Sequence, residues 1–456
     1  MKNITGKELL LRAIRGEETE RPPWLPFVGC HGGFLIGKTA SEYLKSPELI
    51  VAGLKKAKEL YRPDGLPVTF DLQIEAEILG CSLHWAEQVP PSVTSHPLAE
   101  GLRIADLPDL EPSKGRLPCI IEALRRLKKE IGKDTALYGL ICGPFTLALH
   151  LLGNDIFLQM FDDERAVKEL LSYCAQIGIK MSDIYLENGA DVISVVDPMT
   201  SQISPEHFES FVAPPMNKIY EHIRSRGALS AIFVCGDVTR NLEAMVKTKA
   251  DCISVDEQID MQYLKTLCER EKKSFGGNIK LTSVLLLGDE NDAKIEAVNI
   301  IEKSGKKGFI LAPGCDLPYS TPPKNLSAIA QIVHDPYQFE AAKTLKAKAA
   351  DNFDDISLPD YKAAKTVLID VITLDSTSCA PCQYMMEAVQ KAAAQSGILC
   401  YINEHKIKVR QGIGMMVKLG VKNLPTICIN GEVKFASIIP DQKTLIEAIK
   451  KAAGKK

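Results

Sequence analysis

Short apolar segments alternate with long helical stretches through most of this chain, and that alternation restricts its fold more than any other feature. The apolar segments lie at 24–29, 66–71, 137–142, 191–196, 231–235, 252–256, 274–278 and 308–312. Between them run stretches of helical periodicity, among them 118–131, 164–188, 205–226 and 292–304. Continuous apolar strands of this length are those of a parallel sheet, buried on both faces. Eight β-then-α units predict a (β/α)8 TIM barrel, with a doubly wound open sheet as the alternative, because alternation does not establish closure. No G-x-G-x-x-G follows the first strand, so nothing points to a dinucleotide.

Polar groups and glycines gather where each segment ends. The first runs into Gly29-Cys-His31-Gly-Gly33, the second ends at Asp71 with Glu75 and Glu77 beyond, and the third gives Cys142-Gly143-Pro-Phe-Thr146. The fourth gives Asp197-Pro198, the fifth Cys235-Gly-Asp237, the sixth Asp256-Glu257, the seventh Gly277-Asn278 and the eighth Pro313-Gly-Cys315-Asp316. In a barrel these ends share one face, the face that carries chemistry. Each residue singly has a structural reading too. Cys235 taken alone is a small core residue as readily as a ligand.

The totals set the frame. The chain has 456 residues, room for two or three domains, with 45% hydrophobic and 25% charged residues as in ordinary globular proteins. No apolar run reaches the roughly 18 to 20 residues of a membrane span. The opening stretch is a polar amphipathic helix rather than a signal peptide, so the cytoplasm is the expected compartment, with no membrane. Thirteen cysteines, odd in number and thinly spread, do not form a secreted disulfide framework. Residues 361–456 hold 14 Lys+Arg against 7 Asp+Glu, while the whole chain is at -3. Opposite charges on the two parts could help them dock, and a solvated basic face is the simpler account of the pattern. No basic-aromatic motif argues for nucleic acid.

The character changes after the barrel. Residues 1–345 are expected as the barrel, 346–363 as a helix tail and linker, and 364–456 as a second unit. That unit reads β-α-β-α-β-β-α, with Cys379-Ala-Pro-Cys382 at the start of its first helix, Leu424-Pro425-Thr426 before its third strand and the hairpin signal Asn430-Gly431. In this order and with these motifs it resembles the thioredoxin/glutaredoxin fold, where the proline of that tripeptide is cis and faces the disulfide. A thiol at a helix N-terminus ionises more easily, which makes Cys379 the expected nucleophile and Cys382 the resolving thiol one turn in. The family usually has Trp-Cys-Gly-Pro-Cys, and here serine, Ser378, precedes Cys379. A Cys-x-x-Cys zinc half-site is the other reading, and no second pair completes it. Cys400 and Cys428 lie in apolar strands and read as core.

In the barrel, Cys235, Glu257 and Cys315 follow the fifth, sixth and eighth segments. Two thiolates and one carboxylate suit a zinc ion with an open position, and a thiol bound there would lose its proton. The chain also carries Gly6-Lys-Glu with Ala13, Glu20-Arg-Pro-Pro23, Glu75-Ala-Glu-Ile-Leu-Gly80, Gly143-Pro-Phe-Thr-Leu-Ala148, Asp197-Pro198, Ser204-Pro-Glu206, Ser254-Val-Asp-Glu257, Pro313-Gly-Cys315 and Thr321-Pro-Pro-Lys-Asn325. With this set it resembles the uroporphyrinogen decarboxylase superfamily, and within it the methylcobamide:coenzyme M methyltransferases. That branch binds zinc through a His-x-Cys, a later Glu and a later Cys. Cys235, Glu257 and Cys315 match three of those positions, but Phe233 stands at the histidine. Residues two apart on a strand face the same way, so Phe233 fills the spot an imidazole would need. His31 could substitute as a ligand, or it is a substrate-contact or loop histidine.

The resemblance implies methyl transfer from a methyl-corrinoid protein or free methylcobamide to a small thiol, with zinc on Cys235, Glu257 and Cys315. His31, Asp71, Glu75, Glu77, Gly143 and Asp197 would shape the pocket. One alternative is a decarboxylase-like enzyme acting on a tetrapyrrole without metal. The stretch after the first strand, 29–34, lacks the arginine with which decarboxylases hold that anion, although Asp71 matches the general position of their aspartate. The other is a non-catalytic redox adaptor that binds a corrinoid or a thiol. The Cys-x-x-Cys unit is expected to keep Cys235 and Cys315, or a thiol substrate, reduced.

Overall fold

A strand buried along its whole length must have partners on both edges and packing on both faces, and in the first part of the chain helices cover one face of the strands while side chains fill the other. The computed structural model describes residues 4–346, 353–377 and 379–454. Part of the expected linker, 347–352, and Ser378 of the Cys-x-x-Cys segment lie outside the described residues. Seven parallel strands run in sequence order: β1 (Gly65–Pro67), β2 (Ala136–Cys142), β3 (Val192–Val196), β4 (Leu229–Val234), β5 (Cys252–Val255), β6 (Ser274–Ile279) and β7 (Phe309–Pro313). Every residue of β2 and β3 is buried.

The segment expected as a first strand, 24–29, is reduced to a single parallel bridge between Trp24 and Leu311. Its prolines explain this. Pro22, Pro23 and Pro26 have no N–H for a ladder. The segment nonetheless joins the two edges of the sheet. Leu25 N donates to the Leu311 carbonyl on β7, and Asp64 N, just before β1, donates to the Trp24 carbonyl. The sheet thus curls into a TIM-like barrel. Its interior carries an aromatic cluster. Phe233 stacks on Phe27 at 4.8 Å and meets Phe70 edge-on at 5.9 Å.

The second unit is a four-stranded sheet around β8 (Val367–Thr373). β8 pairs parallel with β9 (Cys400–Lys406) and antiparallel with β10 (Thr426–Ile429), which pairs antiparallel with β11 (Glu432–Ala436). Helices Ala380–Ser396 and Gln442–Ala453 pack together on it. This is a small thioredoxin-like α/β domain, and the Leu424-Pro425 peptide is cis as its resemblance implies. Cys428 is core, but Cys400 is only partly buried, because it sits on the edge strand β9. Part of the stretch expected as linker is built into the small domain instead. Phe353 and Ile356 are buried in its second apolar cluster, with Met415 and Cys428.

The two units are joined by more than chain connectivity. Tyr384, on the helix that begins after Cys379, has no exposed surface and belongs to the barrel's apolar core. His150, on the barrel helix Pro144–Leu152, lies 3.0 Å from its hydroxyl through Nδ1. Gln383 Nε2 donates to the Val93 carbonyl and Asn423 Nδ2 donates to Asp237. Truncating a buried aromatic costs about 3 to 5 kcal/mol, whereas losing only one hydrogen bond costs about 1 kcal/mol. Tyr384→Ala is therefore expected to split the thermal unfolding of the chain into two calorimetric transitions, while Tyr384→Phe keeps one. A single unshifted transition in Tyr384→Ala would contradict this docking.

Candidate functional site

Where the strands end, the barrel opens into a cavity of about 320 Å³ whose other wall is the small domain. Cys235, Glu257, Cys315 and Asp316 line it from the barrel, and Cys379, Cys382, Lys408 and Pro425 line it from the small domain. The face that carries chemistry in barrels is thus shared by the two units.

Cys235 follows β4 by one residue and Cys315 follows β7 by two. Their Cα atoms are 6.0 Å apart, and their sulfurs form a disulfide with each other. A sulfur in a disulfide has no thiolate to offer a metal. Among the described residues no three His, Cys, Asp or Glu side chains are grouped to hold a metal ion. Phe233 packs into the aromatic cluster where an imidazole would be needed. The expected zinc site on Cys235, Glu257 and Cys315 therefore does not fit this arrangement, although the three residues reach one cavity.

Glu257 is half-buried, and its Oε2 accepts from Leu281 N at 2.5 Å. Burial, with the charge of Asp256 beside it, pushes its carboxyl up to about 8. Asp256 is itself raised by burial and accepts from Gly236 N at 2.9 Å, which fixes the turn after Cys235. Asp316 accepts from Gly29 N at 2.9 Å, and burial raises its carboxyl well above the usual range. A Cβ at Gly29 would fall 2.4 Å from the Asp316 carboxylate, so this contact requires glycine.

The remaining expected pocket residues stand behind the cavity wall. His31 is fully buried, with Nδ1 donating to the Tyr319 carbonyl and Nε2 2.7 Å from the Tyr61 hydroxyl. Burial lowers its pKa to about 4, and because both ring nitrogens are engaged within the protein, neither is turned to the cavity as a substitute ligand. Asp71 and Glu77 clamp Arg116, at 2.5 Å and 2.7 Å. Glu75 is buried, accepts from Cys142 N through one oxygen and is raised to about 7 by burial. Asp197 accepts from Phe145 N, Thr146 N and the Thr146 hydroxyl, which caps the helix Pro144–Leu152 from the end of β3. A Cβ at Gly143 would lie 2.3 Å from Asp197, so the glycine is what lets that cap approach. These residues hold the barrel's upper rim, and none of them lines the cavity.

Cys379 is the N-cap of the helix Ala380–Ser396, and Cys382 is buried in its first turn. Their sulfurs are 2.6 Å apart. The neighbouring Cys382 thiol, and then burial, raise the Cys379 thiol well above its ordinary value. The low value expected from the helix end is overridden by these two local effects.

Comparison with known proteins adds the family. The uroporphyrinogen decarboxylase (URO-D) model matches residues 5–336 and a thioredoxin domain model matches 367–450. The chain belongs to the uroporphyrinogen decarboxylase family. Within it, the chain is 28% identical to the methylcobamide:CoM methyltransferase MtbA of Methanosarcina acetivorans, over 73% of this chain and 98% of that protein. It is 26% identical to MtaA of Methanosarcina barkeri, over 72% and 97%, and 25% identical to the uroporphyrinogen decarboxylase of Nostoc punctiforme, over 75% and 98%. A solved methyltransferase from Methanosarcina mazei covers 74% of this chain and 100% of its own, at 25% identity and a TM-score of 0.67.

Lys408, Asp256 and Asp316 are cavity residues that the motifs did not single out as candidates. The two acids adjoin Glu257 and Cys315 in sequence, which was the available signal. Lys408 carried none, because only the docking of the small domain brings it to the barrel.

The raised Glu257 carboxyl makes stability depend on pH. Its folded value of about 8 lies above the unfolded value of roughly 4.3. Its contribution is fully present below pH ~4.3 and is lost as pH rises through about 8. Glu257→Gln should therefore lose less melting temperature between pH 5 and pH 8 than the parent protein. Parallel curves for the two would show that Glu257 titrates normally.

Proposed function

We propose that this protein is a corrinoid-dependent methyltransferase that passes a methyl group from a methylated corrinoid to a small thiol in the cavity between barrel and small domain. The likeness to methylcobamide:CoM methyltransferases over nearly their whole length carries this reading. The corrinoid, free or on a protein, would supply an electrophilic methyl group as co-substrate.

The chain's own groups suit the acceptor's half of that reaction. A thiol becomes a competent nucleophile only when its proton is removed. Glu257 lines the cavity with a carboxyl at about 8, close to the ordinary thiol value of roughly 8.5, where a general base works best. Its carboxylate would take the proton as the sulfur bonds to the methyl carbon. Lys280, Lys408 and Lys422 line the same cavity, Lys408 held by Asp375 and Lys280 by Glu296, and an acceptor carrying negative charge would meet these cations there. Cys235 and Cys315, while bonded to one another, offer no thiolate to this step.

The test is incubation of the full-length protein with methylcobalamin and a panel of small thiols, anionic ones included. The expected result is loss of methyl-cobalt absorbance matched by thioether formation, with kcat lowered about 10²- to 10⁴-fold in Glu257→Gln. No methyl transfer to any thiol, together with carbon dioxide release from uroporphyrinogen, would replace this reading by decarboxylation. Corrinoid binding without turnover would make the chain an adaptor.

A further inference from the structure

The cavity gathers sulfur. Five of the chain's thirteen cysteines, Cys30, Cys235, Cys315, Cys379 and Cys382, line it. Four of these form two neighbouring pairs. The barrel pair, Cys235 and Cys315, is bonded, with a Cα separation inside the usual disulfide range of roughly 4.4 to 6.8 Å. The small-domain pair, Cys379 and Cys382, brings its sulfurs to 2.6 Å. Both pairs line the same cavity of about 320 Å³, one from the barrel and one from the small domain. Tyr384, two residues beyond Cys382, is anchored in the barrel core and fixes this helix end over the barrel mouth. Lys408 sets a positive charge on the wall shared by Cys379, held by Asp375 at 3.1 Å.

We propose that the two pairs exchange a disulfide across this cavity. The small domain then sets whether the barrel mouth presents a disulfide or two thiols. In the forward direction the Cys379 thiolate attacks one sulfur of the Cys235–Cys315 bond. A new sulfur–sulfur bond forms as the old one breaks, and the released barrel thiolate takes up the proton that Cys379 lost. The Cys382 thiolate then attacks Cys379, closes the Cys379–Cys382 disulfide and frees the second barrel cysteine, which takes up the proton from Cys382. The barrel pair gains two electrons and two protons, and the Cys-x-x-Cys pair loses the same. An external dithiol returns Cys379 and Cys382 to the reduced form. This relay goes beyond the methyl-transfer reading and is measured without turnover, so either can fail while the other stands.

Two measurements on the full-length protein test it. Cys382→Ser removes the resolving thiol. After mild oxidation, alkylation and digestion, mass spectrometry is expected to find Cys379 linked to Cys235 or Cys315 within one chain. In the second, the Cys379→Ser/Cys382→Ser variant is treated with limiting dithiothreitol, and reduction of Cys235–Cys315 is expected to slow at least ten-fold against the parent. A Cys382→Ser protein with Cys379 free and the barrel pair intact would overturn the proposal. Equal reduction rates in the two proteins would overturn it as well.

Discussion

One docking contact governs what the rest of the molecule can do. A barrel leaves its catalytic face open to solvent unless something covers it. Here the helix that starts after Cys379 sends Tyr384 into the barrel's apolar core, with its hydroxyl against His150. That ring carries the small domain to the barrel mouth and turns an open face into a two-walled cavity. Burial of an aromatic with its one polar atom paired is among the more stabilising contacts a side chain can make. The placement of Cys382 and Lys408 over Cys235, Cys315 and Glu257 follows from it.

Burial sets the electrostatics of the barrel's upper end, both at the mouth and behind its wall. Glu75, Asp197, Asp256, Glu257 and Asp316 are all pushed upward, in each case chiefly by burial. Removing water disfavours the charged form of a carboxyl unless a cation or several N–H groups replace it. Arg116 neutralises Asp71 and Glu77 on the outer rim, while Asp197 is held by three donors that only partly offset its burial. Glu257 has a single backbone donor and an acidic neighbour, which leaves it able to move a proton near neutral pH.

Much of this was legible in the sequence, and the gaps have physical causes. Buried strands announce themselves by continuous apolar runs, so seven barrel strands and the four of the small domain fall close to where the pattern puts them. The segment 24–29 has the same apolar character, but its prolines cannot donate, and only the Trp24 bridge forms. Phe233 was readable as an inward residue because strand alternation fixes its direction. Side-chain destinations were not readable in the same way. His31, Asp71 and Asp197 sit at strand ends like cavity residues, yet their partners, Tyr319, Arg116 and Thr146, lie far off in the chain and turn them into fasteners. The pairing of Cys235 with Cys315 depends on where two side chains point across the barrel mouth. The role of Lys408 depends on how two domains meet. Neither leaves a local trace.

The docked small domain is tested most directly by access to the sulfurs beneath it. The reduced full-length protein and its Tyr384→Ala variant can be labelled with a bulky maleimide, and the rate of modification followed at Cys315. If the small domain roofs the cavity, Cys315 should react at least about ten times faster in the variant, the ratio that a docking contribution of roughly 1.4 kcal/mol would give. Equal rates in the two proteins would mean that the mouth is open in solution and would contradict the shared cavity.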